Sequence, residues 1–414
     1  MNILEESSRR LMQRLAEFAE YSDEPDGRLT RLYLSPAYLG ACERFCQWAR
    51  IIGLTPYMDA VGNIRARYEG RRVGAPALMI GSHIDTVRNA GRYDGNLGAL
   101  AALSVVEMLI QRRERLEIAI EIVAFGDEEG VRFPTAMTGS RALAGMLSPN
   151  WLDAKDDDDV SLRDALMASG CSPELAQQAR ARDVFAFVEL HIEQGPRLEA
   201  EGLAIGTVTA INGASRLEVR VLGSAGHAGS VPMELRRDAL CAAAEMVLAV
   251  EREGIKAGDV VGTVGRINAL PGAINVIPGV VTFSVDVRST SDQTRQQLVS
   301  KLEANFRNIA GRRGAVAEVT QTHNANAYEC DNRIVSGLDA AVAACGQKVF
   351  HLSSGAGHDA MIMGQICPAG MLFVRCAGGI SHNPLESITL ADCEIGLATL
   401  FEFVRTVRPD FEAA

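Results

Sequence analysis

The segment ALMIGSHIDTVRNAGRYDGNLGALAALSVVEMLIQRR (77–113) decides the fold of this chain. It opens on an apolar run typical of a buried strand, crosses a polar loop that contains glycines, and continues as a long apolar segment of helical length. The runs IAIEIVAF (118–125) and DVFAFVELHI (183–192) provide two further strands. Strands that alternate with helices in this way predict an α/β domain around a largely buried sheet.

The pattern changes at about residue 214. SRLEVRVLGSAGHAG (215–229) alternates like a half-buried antiparallel strand, and the order strand–helix–strand–strand–helix–strand follows from there. After about residue 327 the chain returns to helix and buried strand, and it ends in a helix at 390–406. We therefore predict a first domain split into 1–213 and 327–414, with an α+β domain inserted at 214–326.

Composition limits the classes of partner. A length of 414 residues favours two domains, and a net charge of −11 disfavours nucleic acid or an anionic membrane surface. The segment 1–21 has the spacing of an amphipathic helix and not of a signal peptide, and we see no apolar run long enough for a membrane span. Nine scattered cysteines without CxxC pairs are typical of reduced thiols, so we expect a cytoplasmic protein.

Potential metal ligands lie at the ends of the predicted strands. A strand end is a rigid place to mount a ligand, and the loop after it can face a cleft. The chain has only seven histidines, so their presence in these settings is informative. The candidate ligands are His83, Asp94, Glu129 and His191, with Glu128 as a spare carboxylate and His382 in a glycine-rich loop.

Each of these signals has a simpler explanation when taken alone. His83 and Asp85 are spaced so that both side chains project from the same side of a strand, which suits a ligand and the carboxylate that holds its ring, but also a buried histidine with an acidic neighbour. Asp94-Gly is commonly a plain turn, and Glu128-Glu129 are commonly solvent-exposed. Together the acids and histidines predict a dinuclear site. Nitrogen and oxygen donors without thiolate suit zinc, manganese, cobalt or nickel, and the sequence does not choose among them.

Eight motifs occur along the chain in a recognisable order: GSHIDT…DGNLGALA, DEEGVRF, ELHIEQGP, GHAGSVPMELRRDA, NVIPG, VDVRS, SGAGHDA and GISHNP. Through them the chain resembles, over nearly its whole length, the N-carbamoyl-amino-acid hydrolase and allantoate amidohydrolase group within the dinuclear aminoacylase and carboxypeptidase superfamily. The resemblance implies a zinc-peptidase-like catalytic domain with a mixed sheet. It also implies that the inserted domain is a lid and dimerisation domain, and hence a homodimer.

The resemblance also implies roles for single residues. Two divalent metal ions, zinc or manganese, would be bridged by Asp94, with His83 and His191 each serving one metal. Glu129 would complete one set of ligands and His382 the other. Glu128 would be the general base and acid. The implied substrate contacts are Gln194, His227, which would reach across the dimer to the substrate carbonyl, Asn275, Arg288 and the backbone of Gly357.

The residues themselves leave alternatives open for these contacts. Arg288 lies in a predicted strand, where its planar fork would suit a carboxylate, but a surface arginine fits equally well. His227 lies in a Gly/Ala/Ser-rich stretch that permits close approach of another group. It could equally be a loop histidine with no functional role. Asn275 fits a turn. His358 has no definite role, since support of another residue and substrate contact are equally compatible with its position.

We therefore predict a metal-dependent amidohydrolase that cleaves the C–N bond of a ureido or carbamoyl group on a small carboxylate, releasing ammonia and carbon dioxide. Allantoate, a purine-degradation substrate, is preferred because the stretch DEEGVRFPTAMTGSRALAG (127–145) resembles the allantoate members of the group slightly more closely. N-carbamoyl-L-amino acids are the main alternative, and N-carbamoyl-β-alanine and ureidoglycolate have the same functional groups. His191 argues against a peptidase or deacylase, whose members usually carry a carboxylate there. A non-catalytic binding scaffold would be expected to have lost at least one ligand or Glu128, and all are present.

Overall fold

The structure is a computed structural model that describes residues 3–409 and divides into two compact units. Unit 1 contains the chain up to Thr209, Cys330–Leu352 and the chain from His358, and unit 2 contains Ala210–Glu329 and Ser353–Gly357. The sequence pattern predicts that 353–357 belongs to the first domain, but this segment belongs to unit 2. One reason is that the Arg288 guanidinium donates a hydrogen bond to the Gly355 carbonyl at 2.8 Å.

The helices and strands follow the chain in close alternation. The helices are α1 (Ile3–Phe18), α2 (Pro36–Ile51), α3 (Asn96–Gln111), α4 (Thr138–Ala144), α5 (Leu162–Ala168), α6 (Arg197–Ala200), α7 (Ala239–Ala257), α8 (Asp292–Arg312), α9 (Asn332–Ala344), α10 (Asp359–Met363) and α11 (Leu390–Thr406). The strands are β1 (Tyr57–Met58), β2 (Ile64–Tyr68), β3 (Ala77–His83), β4 (Ala119–Phe125), β5 (Val184–Ile192), β6 (Ile205–Ile211), β7 (Gly213–Leu222), β8 (Gly226–His227), β9 (Val260–Thr263), β10 (Ile267–Leu270), β11 (Val276–Ile277), β12 (Val280–Ser289), β13 (Val316–Ala325), β14 (Tyr328–Glu329), β15 (His351–Ser354) and β16 (Ala369–Val374).

A mixed nine-stranded sheet has the order β1-β2-β4-β3-β5-β16-β6-β14, with β15 also paired to β6. Its central strands β4, β3, β5 and β16 are parallel, whereas β2 and β6 pair antiparallel on either side of them. The three strands predicted from the apolar runs are confirmed as β3, β4 and β5. Parallel neighbours end at the same edge of a sheet, so the loops after these strands share one side of unit 1.

Helix α3 is the central packing element of unit 1. Its sequence is apolar on all sides, and it is buried against β3, β4 and β5 with α1 and α11 packed on it. Gly98 permits this contact, because a Cβ atom there would lie 2.2 Å from the Leu190 carbonyl oxygen. Within the described residues no helix combines the length and apolar character needed to cross a membrane.

Unit 2 has its own two-layer core. Its sheet has the order β10-β12-β7-β13, with β9 also paired to β12, and all of its strand pairs are antiparallel. Helices α7 and α8 cover the face that carries Val219, Phe283 and Val285, and Phe306 of α8 packs edge-on to Phe283. The predicted order strand–helix–strand–strand–helix–strand is confirmed. The loop predicted between the two central strands also contains β10 and β11, which pair with β12 and β8.

Candidate active site

Potential metal ligands converge at the carboxyl edge of the central parallel strands. His83 is the last residue of β3, Glu128 and Glu129 follow β4, and His191 is near the end of β5. The parallel register places His83 beside Phe125 and His191 beside Phe373, the penultimate residue of β16. His382 lies in the loop that follows β16. The sheet therefore brings together side chains that are widely separated in sequence.

The Asp94 carboxylate lies at the centre of this cluster. Its Oδ1 is 3.5 Å from His83 Nε2 and 3.2 Å from His191 Nε2. Its Oδ2 is 3.2 Å from His382 Nε2, which in turn lies 3.6 Å from a Glu129 carboxylate oxygen. We call His83, Asp94 and His191 the inner group, and Asp94, Glu129 and His382 the outer group. In each group, three potential ligand atoms lie within 4.8 Å of one another.

This grouping differs from the one expected from the resemblance. His83 and His191 were each expected to serve a different metal, but both face Oδ1 of Asp94. His382 and Glu129 instead lie together on the side of Oδ2. The reason is the strand order, since β3 and β5 are neighbours and direct their histidines to the same place.

Backbone carbonyls orient the two buried histidine rings. Nδ1 of His83 is 3.0 Å from the Asp85 carbonyl oxygen, and Nδ1 of His191 is 2.8 Å from the Ile192 carbonyl oxygen. A carbonyl accepts a hydrogen bond, so each ring carries its proton on Nδ1 when neutral. In this neutral form Nε2 of each ring is unprotonated and can bind a metal, and Nε2 of His191 accepts the Gly95 N–H at 3.2 Å.

The hydrogen bonds of the Asp85 carboxylate differ from those predicted. It was expected to hold the His83 ring, but its nearer oxygen is 3.8 Å from Nδ1, farther than the backbone carbonyl. Its two oxygens instead accept hydrogen bonds from the backbone N–H groups of Glu128 at 3.1 Å and Glu129 at 3.2 Å. Asp85 therefore fixes the position of the turn that presents both glutamates.

Asp127 shapes the same turn from the other side. It adopts a left-handed backbone conformation with φ of 62°, which is uncommon for a residue other than glycine. Its buried carboxylate accepts hydrogen bonds from the hydroxyls of Thr135, at 2.8 Å, and Thr138. These contacts offset the backbone strain and hold the two glutamates near His83.

Burial and mutual repulsion perturb the acids of the cluster. Burial raises the pKa of Glu128 well above its ordinary value; His83 opposes this shift, while the nearby carboxylate of Glu129 adds to it. Burial, together with the charge of Asp94, raises the pKa of Glu129 to about 7. Burial also acts to raise the pKa of Asp94, but hydrogen bonds with His191, His382 and His83 outweigh it and leave the pKa well below its usual range.

The donor set fits divalent cations. The carboxylates of Asp94, Glu128 and Glu129 are buried or nearly buried, and they lie near the imidazoles of His83, His191 and His382. Within residues 3–409 the ion pairs of Asp94 and Glu129 involve only histidines. Uncompensated carboxylates are costly to bury, and a bound cation would remove that cost. Mixed imidazole and carboxylate ligands with a carboxylate shared between two groups are suited to a pair of zinc- or manganese-like ions.

Three residues of unit 1 support the cluster in ways that the motifs alone did not specify. Gln194, expected to line a substrate pocket, donates its side-chain N–H to Asp94 Oδ2 at 2.8 Å. The buried His358 ring packs edge-on to His191 at a centroid distance of 4.5 Å, so it supports a histidine of the inner group. Glu386, which the sequence analysis missed, accepts the backbone N–H of Asp94 at 3.1 Å. The signal available for Glu386 was its place in the same loop as His382.

The predicted residues of unit 2 fall in two places. His227 on β8 pairs with Val276 on β11, and the Ala228 N–H donates to the Asn275 carbonyl at 2.9 Å, so His227 and Asn275 are neighbours. Arg288 on β12 contacts Gly355, two residues before Gly357. His227 is exposed, and its Nδ1 accepts the Gly229 N–H at 3.1 Å.

Comparison with known proteins agrees with this architecture. The family model of peptidase family M20/M25/M40 matches residues 79–406. The chain is 39% identical to the N-carbamoyl-L-amino acid amidohydrolase of Geobacillus stearothermophilus, over 95% of this chain and 97% of that protein. It is 38% identical to allantoate deiminase 1 of Glycine max, over 94% of this chain and 87% of that protein.

A solved structure extends the likeness to three dimensions. The amidase of the hydantoinase/carbamoylase family from Burkholderia multivorans superposes with a TM-score of 0.92 at 34% identity, covering 98% of each chain. This chain belongs to peptidase family M20/M25/M40 and, within it, to the hydantoinase/carbamoylase group of amidases. The resemblance inferred from the eight motifs is thereby confirmed.

Substitution of Gly95 tests the geometry of the inner group. Gly95 has φ of 66°, and a Cβ atom there would lie 2.5 Å from three atoms of the His83 ring. We expect Gly95→Ala to displace that ring and weaken binding of added Mn²⁺ or Zn²⁺ by roughly tenfold or more, as measured by competition with a chelator.

Gly202→Ala is the matched control, because Gly202 has φ of 67° and no atom within 4 Å of the added Cβ. Both variants place a side chain at a positive φ, but only the one at residue 95 meets the His83 ring. Equal metal affinity in the two variants would contradict the expectation that a side chain at residue 95 displaces a metal-binding His83 ring.

Proposed function

We propose that this protein is a metal-dependent amidohydrolase that cleaves the C–N bond of a ureido or carbamoyl group on a small carboxylate. The observation that carries the proposal is the Asp94 carboxylate, whose two oxygens face two sets of potential ligands, with Glu128 beside one of them. The hydantoinase/carbamoylase relationship supports a ureido or carbamoyl substrate over a peptide.

Glu128 is the proposed general base and acid. Two bound divalent ions would supply charge stabilisation at the substrate carbonyl and lower the pKa of water. The Glu128 carboxylate takes a proton from the attacking water and delivers it to the leaving nitrogen. One water and one ureido group then give an amine, ammonia and carbon dioxide. Asp85 and Asp127 hold the Glu128 turn in place, which keeps the carboxylate positioned through both proton transfers.

Arg288 is the proposed anchor for the substrate carboxylate. Asp286 accepts its Nε–H at 2.9 Å and one N–H of its NH2 group at 3.2 Å, and the Gly355 carbonyl accepts one N–H of NH1. Among the described residues these contacts leave one N–H on each terminal nitrogen, and such a pair suits a carboxylate that binds through two hydrogen bonds. His227, Asn275 and Gly357 complete the proposed substrate contacts, and dimerisation through unit 2 stays a prediction.

Allantoate is the preferred substrate, and N-carbamoyl-L-amino acids are the alternative. Relatives named for each activity have nearly the same identity to this chain, 38% and 39%. Both substrates present a ureido group near a carboxylate, so the proposed chemistry serves either one. The choice between them therefore has to be made by measurement.

The deciding experiment measures ammonia release by protein loaded with Mn²⁺ or Zn²⁺. The panel contains allantoate, N-carbamoyl-L-amino acids, N-carbamoyl-β-alanine and, with amine detection, an N-acetyl amino acid and a dipeptide. We expect turnover of a ureido substrate, with allantoate first. Turnover of the carbamoyl amino acids would retain the mechanism and change the substrate. Turnover of only the acetyl or peptide controls would overturn the ureido assignment.

Glu128→Gln should separate chemistry from metal binding. The amide has nearly the shape of the carboxylate but cannot accept the proton, so we expect kcat to fall by roughly 10²- to 10⁴-fold. Metal content, measured by elemental analysis, should stay at the wild-type value. Loss of metal from this variant would instead identify Glu128 as a ligand.

Arg288→Ala should chiefly weaken substrate binding. Loss of two charge-assisted hydrogen bonds predicts a rise in KM of roughly tenfold or more, with a smaller effect on kcat. Arg220→Ala is the control, since Arg220 is exposed on the same sheet and pairs with Glu318. An unchanged KM for Arg288→Ala, measured on the best substrate of the panel, would show that the carboxylate is bound elsewhere.

A further inference from the structure

Glu386 joins two loops of the metal-binding cluster. One carboxylate oxygen accepts the backbone N–H groups of Tyr93 at 2.7 Å and Asp94 at 3.1 Å. The other accepts the hydroxyl of Ser381 at 3.0 Å. Ser381 directly precedes His382, so a single carboxylate connects the backbone around Asp94 with the turn that carries His382.

The contact is buried and closely packed. Glu386 is 4% exposed. A Cβ atom at Gly91 would lie 2.2 Å from the carboxylate carbon of Glu386, so the backbone at Gly91 packs too closely against this carboxylate for any side chain to fit there. The Ser381 hydroxyl is also 2.9 Å from Asp94 Oδ2, the oxygen that belongs to the outer group. Glu386 thus reaches Asp94 through its backbone and, by way of Ser381, through its side chain.

The inner and outer groups differ in how far the positions of their ligands depend on contacts between loops. The inner-group histidines lie on central strands, and backbone carbonyls hold their rings. His382 lies on a turn with φ of 53°, and its side chain is 51% exposed, compared with 2% for His83. The position of His382 relative to Asp94 therefore depends on contacts within and beneath its loop, and Glu386 supplies the contact to the Asp94 backbone.

We infer that Glu386 is a positioning residue for the outer group, and that it sets the affinity for one of the two cations while leaving the other largely unaffected. The inference rests on the proposed function, because it takes the cluster to bind two ions. It assigns to Glu386 a role in metal loading and not in proton transfer, since its carboxylate is occupied by two backbone N–H groups and one hydroxyl.

The test is a calorimetric titration of metal-free protein with Mn²⁺, fitted to two equivalents. We expect Glu386→Ala to weaken one equivalent by roughly 10- to 100-fold and to leave the other within about threefold of wild type. His382→Ala and His191→Ala are reference variants that define the loss of the outer and inner equivalents. The titration of Glu386→Ala should resemble that of His382→Ala.

Three further variants separate positioning from a general loss of structure. In Glu386→Gln the amide oxygen can still accept the two backbone N–H groups and the amide N–H can donate to Ser381, so both equivalents should bind as in wild type. Glu121→Gln is the control for destabilisation, because Glu121 is a buried glutamate of unit 1 paired with Arg65. It should leave both affinities unchanged. Ser381→Ala removes the hydroxyl that contacts both Glu386 and Asp94 Oδ2 and leaves the contacts of Glu386 with the backbone around Asp94 in place. It should weaken the same equivalent as Glu386→Ala, and it tests the inference even if the latter variant does not fold.

Different outcomes contradict different statements. Two wild-type equivalents in Glu386→Ala and Ser381→Ala, or an equal loss of both equivalents, would overturn the inference alone. If Glu386→Gln bound the metal as weakly as Glu386→Ala, the inference would also be overturned. The hydrogen bonds of residue 386 would then be intact, so its effect on metal binding would not come from positioning the two loops. Failure of the wild-type protein to bind two equivalents would overturn the proposed function and this inference with it. The absorption of the Co²⁺-loaded protein gives a second readout, since the outer-group signal alone should change in Glu386→Ala.

Discussion

The parallel alignment of β4, β3, β5 and β16 is the constraint on which the candidate site depends. Parallel strands in register end at one edge, so residues almost 300 positions apart in the chain can meet there. His83 and His191 occupy neighbouring strand ends and share one oxygen of Asp94. The loop after β16 brings His382 to the other oxygen. A different strand order would divide the ligands differently.

Several acids around the cluster accept hydrogen bonds from neutral donors. Asp85 accepts backbone N–H groups, Asp127 accepts threonine hydroxyls, and Glu189 accepts the Ser82 hydroxyl and the Ala360 N–H. Neutral donors stabilise a buried carboxylate without cancelling its charge. Burial raises the pKa of all three acids, and cations bound in the cluster would favour their charged forms. The same hydrogen bonds restrict the motion of the loops that present the proposed ligands.

The two units contribute different kinds of chemistry to the proposed function. Unit 1 carries the acids and histidines that are proposed to act on the ureido carbonyl, a group that all the candidate substrates share. Unit 2 carries Arg288, the proposed carboxylate anchor, whose guanidinium is oriented by hydrogen bonds to Asp286 and to the Gly355 carbonyl. Recognition of a carboxylate is again common to the candidate substrates. Discrimination among them must come from side chains that contact the rest of the substrate.

The sequence by itself determined the elements and most of the candidate ligands. Apolar runs of strand and helix length specified β3, β4, β5 and α3, and the alternating pattern specified the two-layer unit 2, because local periodicity reports which face of an element is buried. The acids and histidines were found because they follow those runs. Only the tertiary structure decided how they are grouped, that Asp85 holds a turn and not a ring, and that residues 353–357 belong to unit 2. These depend on strand order and on contacts between distant loops, such as that of Glu386 with Asp94, which leave no periodic trace in the sequence.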